Sequence, residues 1–247
     1  MFADWPEEED EGALRRRVWH RSDVLLGALA ILLGFLALVL LSLLVAVVTG
    51  TTRGHGADLP GTLITLGFES LLGVTVLLLA ARRSLPLRQL GLRRLPAGGL
   101  ATAALVGSYA TFVLYQVGLN ALARTGIDVS ALDKGNPLPT GPSTGPVTWV
   151  LLGFAVVVVA PLAEELFFRG FVFRAVAGVL PLWAAYLVSG FTFAAFHLNP
   201  SVLLPFTVVG AFFAWSYWKS GSLWTSITAH AIVNGASFVF TVMGMIR

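Results

Sequence analysis

The chain has 247 residues, of which 56% are hydrophobic and only 12% are charged, and its mean hydropathy is +0.82. Soluble domains carry roughly 25% charged residues, so this composition excludes a soluble enzyme and a nucleic-acid-binding domain. It predicts an all-α, polytopic bundle of transmembrane helices. Cysteine is absent, which excludes disulfides, thiol chemistry and cysteine-ligated metal sites.

The formal net charge of +3 hides an uneven distribution of charged residues. Six of the 13 acidic residues lie in the first dozen positions, where no basic residue occurs, and arginines cluster at positions 15–21. We expect residues 1–22 to form a solvated tail, first acidic and then basic. From Gly135 to the C-terminus the only acidic residues are the adjacent Glu164 and Glu165.

Apolar segments predict seven membrane helices, since about 20 residues at a rise of about 1.5 Å each cross the hydrocarbon core. These segments lie at about residues 24–48, 62–81, 97–123, 147–180, 181–197, 202–218 and 223–245. The first is longer than a signal-peptide core of about 7–15 residues, so we expect an uncleaved helix. Pro161 predicts a kink in the fourth helix. An eighth span results if residues 171–180 enter the membrane separately.

Four regions follow from this pattern. They are the tail at 1–22, three N-terminal helices at 23–123, a polar loop at 124–146 and a C-terminal helical core at 147–247. The loop is rich in glycine and proline, which is typical of a segment outside the membrane core.

Basic residues predict the orientation of the bundle. If the spans alternate, the cluster at 15–21, the loop at 82–94, Arg174 and Lys219 share one side. The loops on the other side hold only Arg53, Arg124 and Lys134. Short loops rich in Lys and Arg remain in the cytoplasm, so the first side and the N-terminus are predicted to be cytoplasmic.

Charged residues at membrane depth are costly and usually mark function or pairing. Glu165 and Arg169 are four residues apart, close enough on one helix to form an ion pair. Glu164 lies about 100° further round that helix and is left for general-base chemistry. The alternative interpretation is a structural charge cluster near the headgroups.

Two histidines follow in later helices. His197 ends an apolar segment, and His230 shares a helix face with Ser226 and Asn234 at four-residue spacing. A core histidine bonded to a backbone carbonyl and a polar stripe that binds neighbouring helices are the structural alternatives. Together, the three elements can bring carboxylates, imidazoles and an amide to one water and one carbonyl.

This pattern resembles the three motifs of the CPBP (Abi) family, whose relatives include the Rce1-type CAAX prenyl endopeptidases. The motifs here are Glu164-Glu165-x-x-x-Arg169, Phe193-x-x-x-His197 and His230-x-x-x-Asn234. Their flanks, at 167–170 and 220–224, match as well. The resemblance covers about residues 147–240, and the first three helices match only as generic membrane helices.

The resemblance implies an intramembrane endopeptidase that acts on a membrane-associated peptide or protein, prenylated in the CAAX relatives. Glu164 would be the general base, and His197 would position the water or carry its proton. His230 and Asn234 would donate to the oxyanion, and Glu165 with Arg169 would fix the base. No cofactor is expected; the alternative is zinc held by Glu164, His197 and His230, although the HExxH zinc motif is absent.

Two other functions compete with the peptidase. The polar cluster could serve packing or partner binding in a non-catalytic scaffold or bacteriocin-immunity factor, and a proton-coupled transporter is a weaker third hypothesis because no repeated halves are present. Glu69, midway along the second span, is expected to make a structural hydrogen bond or to pair with an arginine.

Overall fold

The computed structural model describes residues 18–49, 58–92, 98–140 and 144–244, and in these ranges it contains helices and no β-strand. Seven helices follow in chain order: α1 (Arg21–Thr49), α2 (Asp58–Arg82), α3 (Gly99–Arg124), α4 (Pro146–Ala177), α5 (Leu182–Phe196), α6 (Pro200–Ser220) and α7 (Leu223–Val242). Six are long and apolar enough to cross a membrane, and α5, with 15 residues, is shorter. The predicted polytopic bundle of seven helices is therefore confirmed, and the protein is an integral, multi-pass membrane protein.

The alternative of an eighth span is wrong for the described chain. Residues 171–177 continue α4 without interruption, because π-helical backbone from Leu166 to Phe173 leads directly into a last α-helical turn. Residues 1–17 of the tail predicted at 1–22, and Arg53, Arg93 and Arg94, lie outside the described residues.

Several basic residues gather at one end of the bundle, which we call the basic end. Asp23, fully buried, forms ion pairs with Arg83 at 2.9 Å and with Arg82 at 3.3 Å, joining the start of α1 to the end of α2. Arg174, at the end of α4, donates to the carbonyl of Gln89 at 2.8 Å. These contacts place the basic residues on a common side, as alternating spans predict; its cytoplasmic location stays a prediction.

The opposite end, which we call the loop end, carries the segment that joins α3 to α4. Asn199 caps α6 by accepting from the amide of Ser201 at 3.1 Å, and Pro200 occupies the first helical turn, where its missing N–H has no cost. Ser201 Oγ also donates to the carbonyl of Gly135 at 3.1 Å. The loop is thereby held against the ends of α5 and α6.

Helices α5 and α6 approach each other closely because glycines face each other. A Cβ on Gly190 would clash with the carbonyl oxygen of Thr207, and a Cβ on Gly210 would lie 2.8 Å from the Cα of Gly190. Small residues permit such close packing in membranes, where lipid supplies no hydrophobic driving force between helices. The close pair positions His197, at the end of α5, beside α6.

Candidate active site

Helix α4 presents the two glutamates between two stretches of π-helix. Residues Ala155–Val159 and Leu166–Phe173 are π-helical, and the short α-helical segment Ala160–Glu165 lies between them. A π-helical turn contains one more residue than an α-helical turn, and some of its backbone groups need hydrogen-bond partners from outside the helix. Such turns are frequent at functional sites. Both glutamates are buried.

Pro161 explains the first irregular stretch. In π-helical backbone the N–H of residue 161 would bond the carbonyl of Val156, but proline has no N–H. The side-chain amide of Asn234 on α7 donates to that carbonyl at 3.0 Å. Asn234 therefore completes the hydrogen bonding of α4 and ties α7 to the helix that carries the glutamates.

Glu165 is the centre of a buried network. Its Oε1 forms an ion pair with Arg169 Nη1 at 2.8 Å and accepts from His230 Nδ1 at 2.9 Å. Glu165 and Arg169 have no exposed side-chain surface. The predicted ion pair is thus present, and it also fixes the ring of His230.

Arg169 is held from several sides. Its Nη2 donates to the carbonyl of Gly210 at 3.0 Å. Its guanidinium lies 4.9 Å from the ring centre of Phe193 and 5.4 Å from that of Phe213, within the range of cation–π attraction. The aromatic faces and Glu165 offset the cost of burying this cation, so α4, α5 and α6 are joined through one side chain.

The partners of His230 assign its tautomer. Glu165 is a carboxylate paired with the Arg169 guanidinium, so its Oε1 accepts, and Nδ1 of His230 carries the proton that it donates to Glu165. The neutral ring then has an unprotonated Nε2, which lies 3.8 Å from Glu164 Oε2. That separation exceeds a hydrogen bond and is short enough for one small molecule to contact both atoms.

The end of α5 sets the orientation of His197. The amide of His197 bonds Ala194 instead of Phe193, which leaves the Phe193 carbonyl without its helical partner. Nδ1 of the His197 ring lies 2.9 Å from that carbonyl; because a carbonyl only accepts, Nδ1 donates and Nε2 is left unprotonated. Phe206 packs edge-on against the ring at 4.7 Å.

Glu69 lines the same cavity as Glu164, although its position in the sequence predicts only a structural role. Its side chain on α2 is buried and within hydrogen-bonding reach of the Glu164 carboxyl group. Two carboxyl groups bond each other only if one carries a proton. The group that faces Glu69 is therefore the Glu164 carboxyl group rather than an arginine. The sequence feature that could have indicated a role for Glu69 in the site is its position as a lone carboxylate midway along an apolar span.

A cavity of about 840 Å³ connects these residues to the loop end. Its lining includes Glu69, Glu164, His197, His230 and Asn234. Glu165 and Arg169 do not line it and lie behind its wall. The six predicted site residues thus divide into four at the cavity surface and two that support them.

Glu164, His197 and His230 would be the ligands in the alternative zinc mechanism. Among the residues that the structure describes, no three His, Asp or Glu side chains are grouped to hold a metal ion. Zinc requires its N and O ligands within about 2.0–2.2 Å of the ion, so this arrangement does not fit zinc as placed.

Comparison with known proteins shows what the C-terminal helices are similar to. The family model described as "Type II CAAX prenyl endopeptidase Rce1-like" matches residues 146–236. The match covers α4 to α6 and most of α7, and contains all six predicted site residues. Glu69, on α2, lies outside the matched residues.

A curated relative agrees with this assignment. "Putative membrane peptidase YdiL" of Bacillus subtilis (strain 168) is 32% identical over 77 residues, which are 31% of this chain and 32% of that protein. The chain therefore matches about a third of that relative's length. No solved structure matches the chain.

Proposed function

We propose that the protein is an intramembrane endopeptidase in which Glu164 activates water to hydrolyse a peptide bond of a membrane-associated peptide or protein. One observation carries the proposal: Glu164 lines the cavity with its Oε2 3.8 Å from His230 Nε2 and with His197 in the same lining, whereas Glu165 is paired with Arg169 and His230 behind it. The different surroundings of the two adjacent carboxylates would thus make Glu164 the general base and Glu165 the residue that holds Arg169 and His230 in position.

The attacking water would sit between Glu164 and His230, with His197 at the same cavity wall. Glu164 takes one proton as the water oxygen bonds to the carbonyl carbon and the carbonyl oxygen becomes an oxyanion. The C–N bond then breaks, and the proton passes from Glu164 to the leaving nitrogen. Water, proton and electron pairs balance without a further reagent.

The oxyanion needs preorganised donors. His230 can donate through Nε2 after its ring takes a second proton from solvent in the cavity before the substrate binds; the Glu165 carboxylate at Nδ1 stabilises this cationic form, and the ring keeps the proton through the reaction. Asn234 uses one amide N–H on Val156, which leaves its second N–H for the oxyanion. A proton shared between Glu69 and Glu164 would leave one of these two carboxyl groups anionic at a time.

The test compares terminal peptides, because the substrate is unidentified. Membranes of cells that express wild-type protein or Glu164→Gln are digested, and new N- and C-termini are identified by mass spectrometry. We expect termini that occur only with wild-type protein; general acid–base catalysis is worth about 10²–10⁴-fold, so Glu164→Gln should remove them. Equal membrane levels of the two proteins provide the control for insertion.

Gln116→Ala serves as the matched control, since Gln116 lines the same cavity but bonds Asp133 at the loop end. It should produce the same termini as wild type. Identical peptide sets from wild type and Glu164→Gln would overturn the peptidase and favour the non-catalytic scaffold.

A further inference from the structure

The site cavity lies in the half of the bundle away from the basic end. Its lining includes residues 132–139 of the loop between α3 and α4, together with Ser237 and Thr241 near the end of α7. A second, apolar cavity of about 380 Å³ between α1 and α2 also reaches Glu164 and His197. No described residue of the basic loops, at 82–92 and 219–222, lines either cavity.

The basic end is closed above the site. Phe173, Tyr217 and Leu223 have no exposed surface, and Trp218 is 3% exposed. The rings pack edge to face, with Phe173 at 6.0 Å from Tyr217 and 5.9 Å from Trp218. These side chains form a continuous layer between the Glu165 network and the basic loops.

Hydrogen bonds fasten this layer to the connecting loops. Tyr217 donates its hydroxyl to the carbonyl of Leu90 at 3.1 Å, and the amide of Leu223 donates to the carbonyl of Gly91 at 2.8 Å. The indole of Trp19 donates to the carbonyl of Gly170 at 2.8 Å, next to Arg169. In the described part of the basic end, these hydrogen bonds therefore close the space between the basic loops and the Glu165 network, through which a substrate from that side would have to enter.

The charges of the described loops predict which end of the bundle faces the cytoplasm. The basic end carries Arg21, Arg82, Arg83, Arg88, Arg174 and Lys219, whereas the loop end carries Arg124 and Lys134. Lys and Arg in short loops favour the cytoplasmic side, so these charges predict that the basic end faces the cytoplasm and the loop end faces away from it.

We propose that the 840 Å³ site cavity opens toward the non-cytoplasmic side and is closed, by the described residues, toward the cytoplasm, and that its substrates are membrane-associated peptide segments exposed on the non-cytoplasmic side. The statement about substrates rests on the proposed function. The statement about the opening does not, because it depends only on the cavity walls, the closed layer and the loop charges.

The absence of native cysteine permits a direct test of this opening. Three single-cysteine variants are expressed: Gln89→Cys at the basic end, Asn136→Cys at the loop end and Ala236→Cys in the cavity wall. Both Gln89 and Asn136 are exposed, uncharged and outside the helices that hold the site, so they form a matched pair. Intact right-side-out cells or vesicles are treated with a small membrane-impermeant cationic methanethiosulfonate, before and after permeabilisation.

We expect Asn136→Cys and Ala236→Cys to react without permeabilisation and Gln89→Cys to react only after it. Reaction of Gln89→Cys in intact cells would reverse the orientation. Ala236→Cys that reacts only after permeabilisation, or not at all, would overturn the outward opening. Repeating the labelling in a Glu164→Gln background separates the two proposals, since labelling needs no catalysis and the terminal-peptide comparison needs no orientation.

Discussion

The amide of Asn234 stands in for the backbone N–H that Pro161 lacks. It donates at 3.0 Å to the Val156 carbonyl, which the π-helical register would otherwise pair with residue 161. Tyr115 does the same on α6, where Pro205 lies inside the helix and the Tyr115 hydroxyl donates at 3.0 Å to the Ser201 carbonyl four residues earlier. Each proline is thus matched by a polar side chain on another helix.

This relationship makes the Asn234→Ala and Pro161→Ala substitutions interdependent. Asn234→Ala leaves the partly buried Val156 carbonyl without its donor and should lower the free energy of unfolding by about 0.5–1.5 kcal/mol. Adding Pro161→Ala restores a backbone N–H for Val156, so the double variant should regain most of that stability, as measured by unfolding in detergent and a double-mutant cycle.

Pro205→Ala is the matched control for this cycle. It should rescue Tyr115→Phe and leave the defect of Asn234→Ala unchanged. If the losses of stability in Asn234→Ala and Pro161→Ala simply add in the double variant, the Asn234 amide does not replace the backbone N–H that Pro161 lacks. If Asn234 also donates to the oxyanion, the stable double variant will still lack peptidase activity.

Most of the fold could be predicted because membrane helices are specified by long apolar runs. The same runs conceal the π-helical stretches in α4, since backbone register depends on which partner satisfies a freed carbonyl. Pro161 predicts an irregularity in α4. The hydrogen bond from Asn234 to the carbonyl that Pro161 leaves free could not be predicted, because it depends on the packing of α7 against α4.

The candidate site could be predicted where spacing along one helix sufficed, as for Glu165 and Arg169. Spacing could not show that Glu165 would also bind His230, 65 residues later, or that α2 would bring Glu69 to Glu164. Such contacts arise from the packing of different helices. The same packing separates Glu164 at the cavity from Glu165 behind it.

Glu69 gives a second prediction. Glu69→Gln retains an N–H that can donate to the Glu164 carboxylate, so it should keep cleavage within about tenfold of wild type. Glu69→Leu removes the donor and should reduce the rate by about 10²-fold, within the range of general acid–base effects. Rates of formation of the wild-type terminal peptides, normalised to protein in the membrane, measure the difference. Equal rates in the two variants would show that Glu69 has no role in holding Glu164.

Metal independence is a third prediction, based on the lack of a suitable three-ligand group among the described residues. Purified protein should contain less than about 0.1 zinc per chain by mass spectrometry, since a zinc enzyme holds a stoichiometric ion. Incubation with 1,10-phenanthroline should leave formation of the terminal peptides unchanged, with its non-chelating 1,7 isomer as the control. Stoichiometric zinc together with inhibition by the chelator alone would restore the zinc mechanism.

The glycine contact between α5 and α6 gives a fourth prediction. A Cβ at Gly190 would clash with the Thr207 carbonyl, which belongs to helix backbone and cannot swing aside as a side chain can. Gly190→Ala should therefore separate the helices and lower the free energy of unfolding by about 1–3 kcal/mol, the usual range for overpacking. The shift also moves the Gly210 carbonyl away from Arg169, so cleavage should fall together with stability.

Gly118→Ala is the matched control, because Gly118 lies within α3 and a Cβ there meets no atom within 4 Å. Alanine is favoured over glycine in a helix by about 0.5–1 kcal/mol, so this variant should be at least as stable as wild type. Thermal unfolding of both variants in one detergent compares them directly. If Gly190→Ala unfolds at the wild-type temperature, the close α5–α6 contact does not hold the bundle together, and the placement of His197 and Arg169 must depend on other contacts.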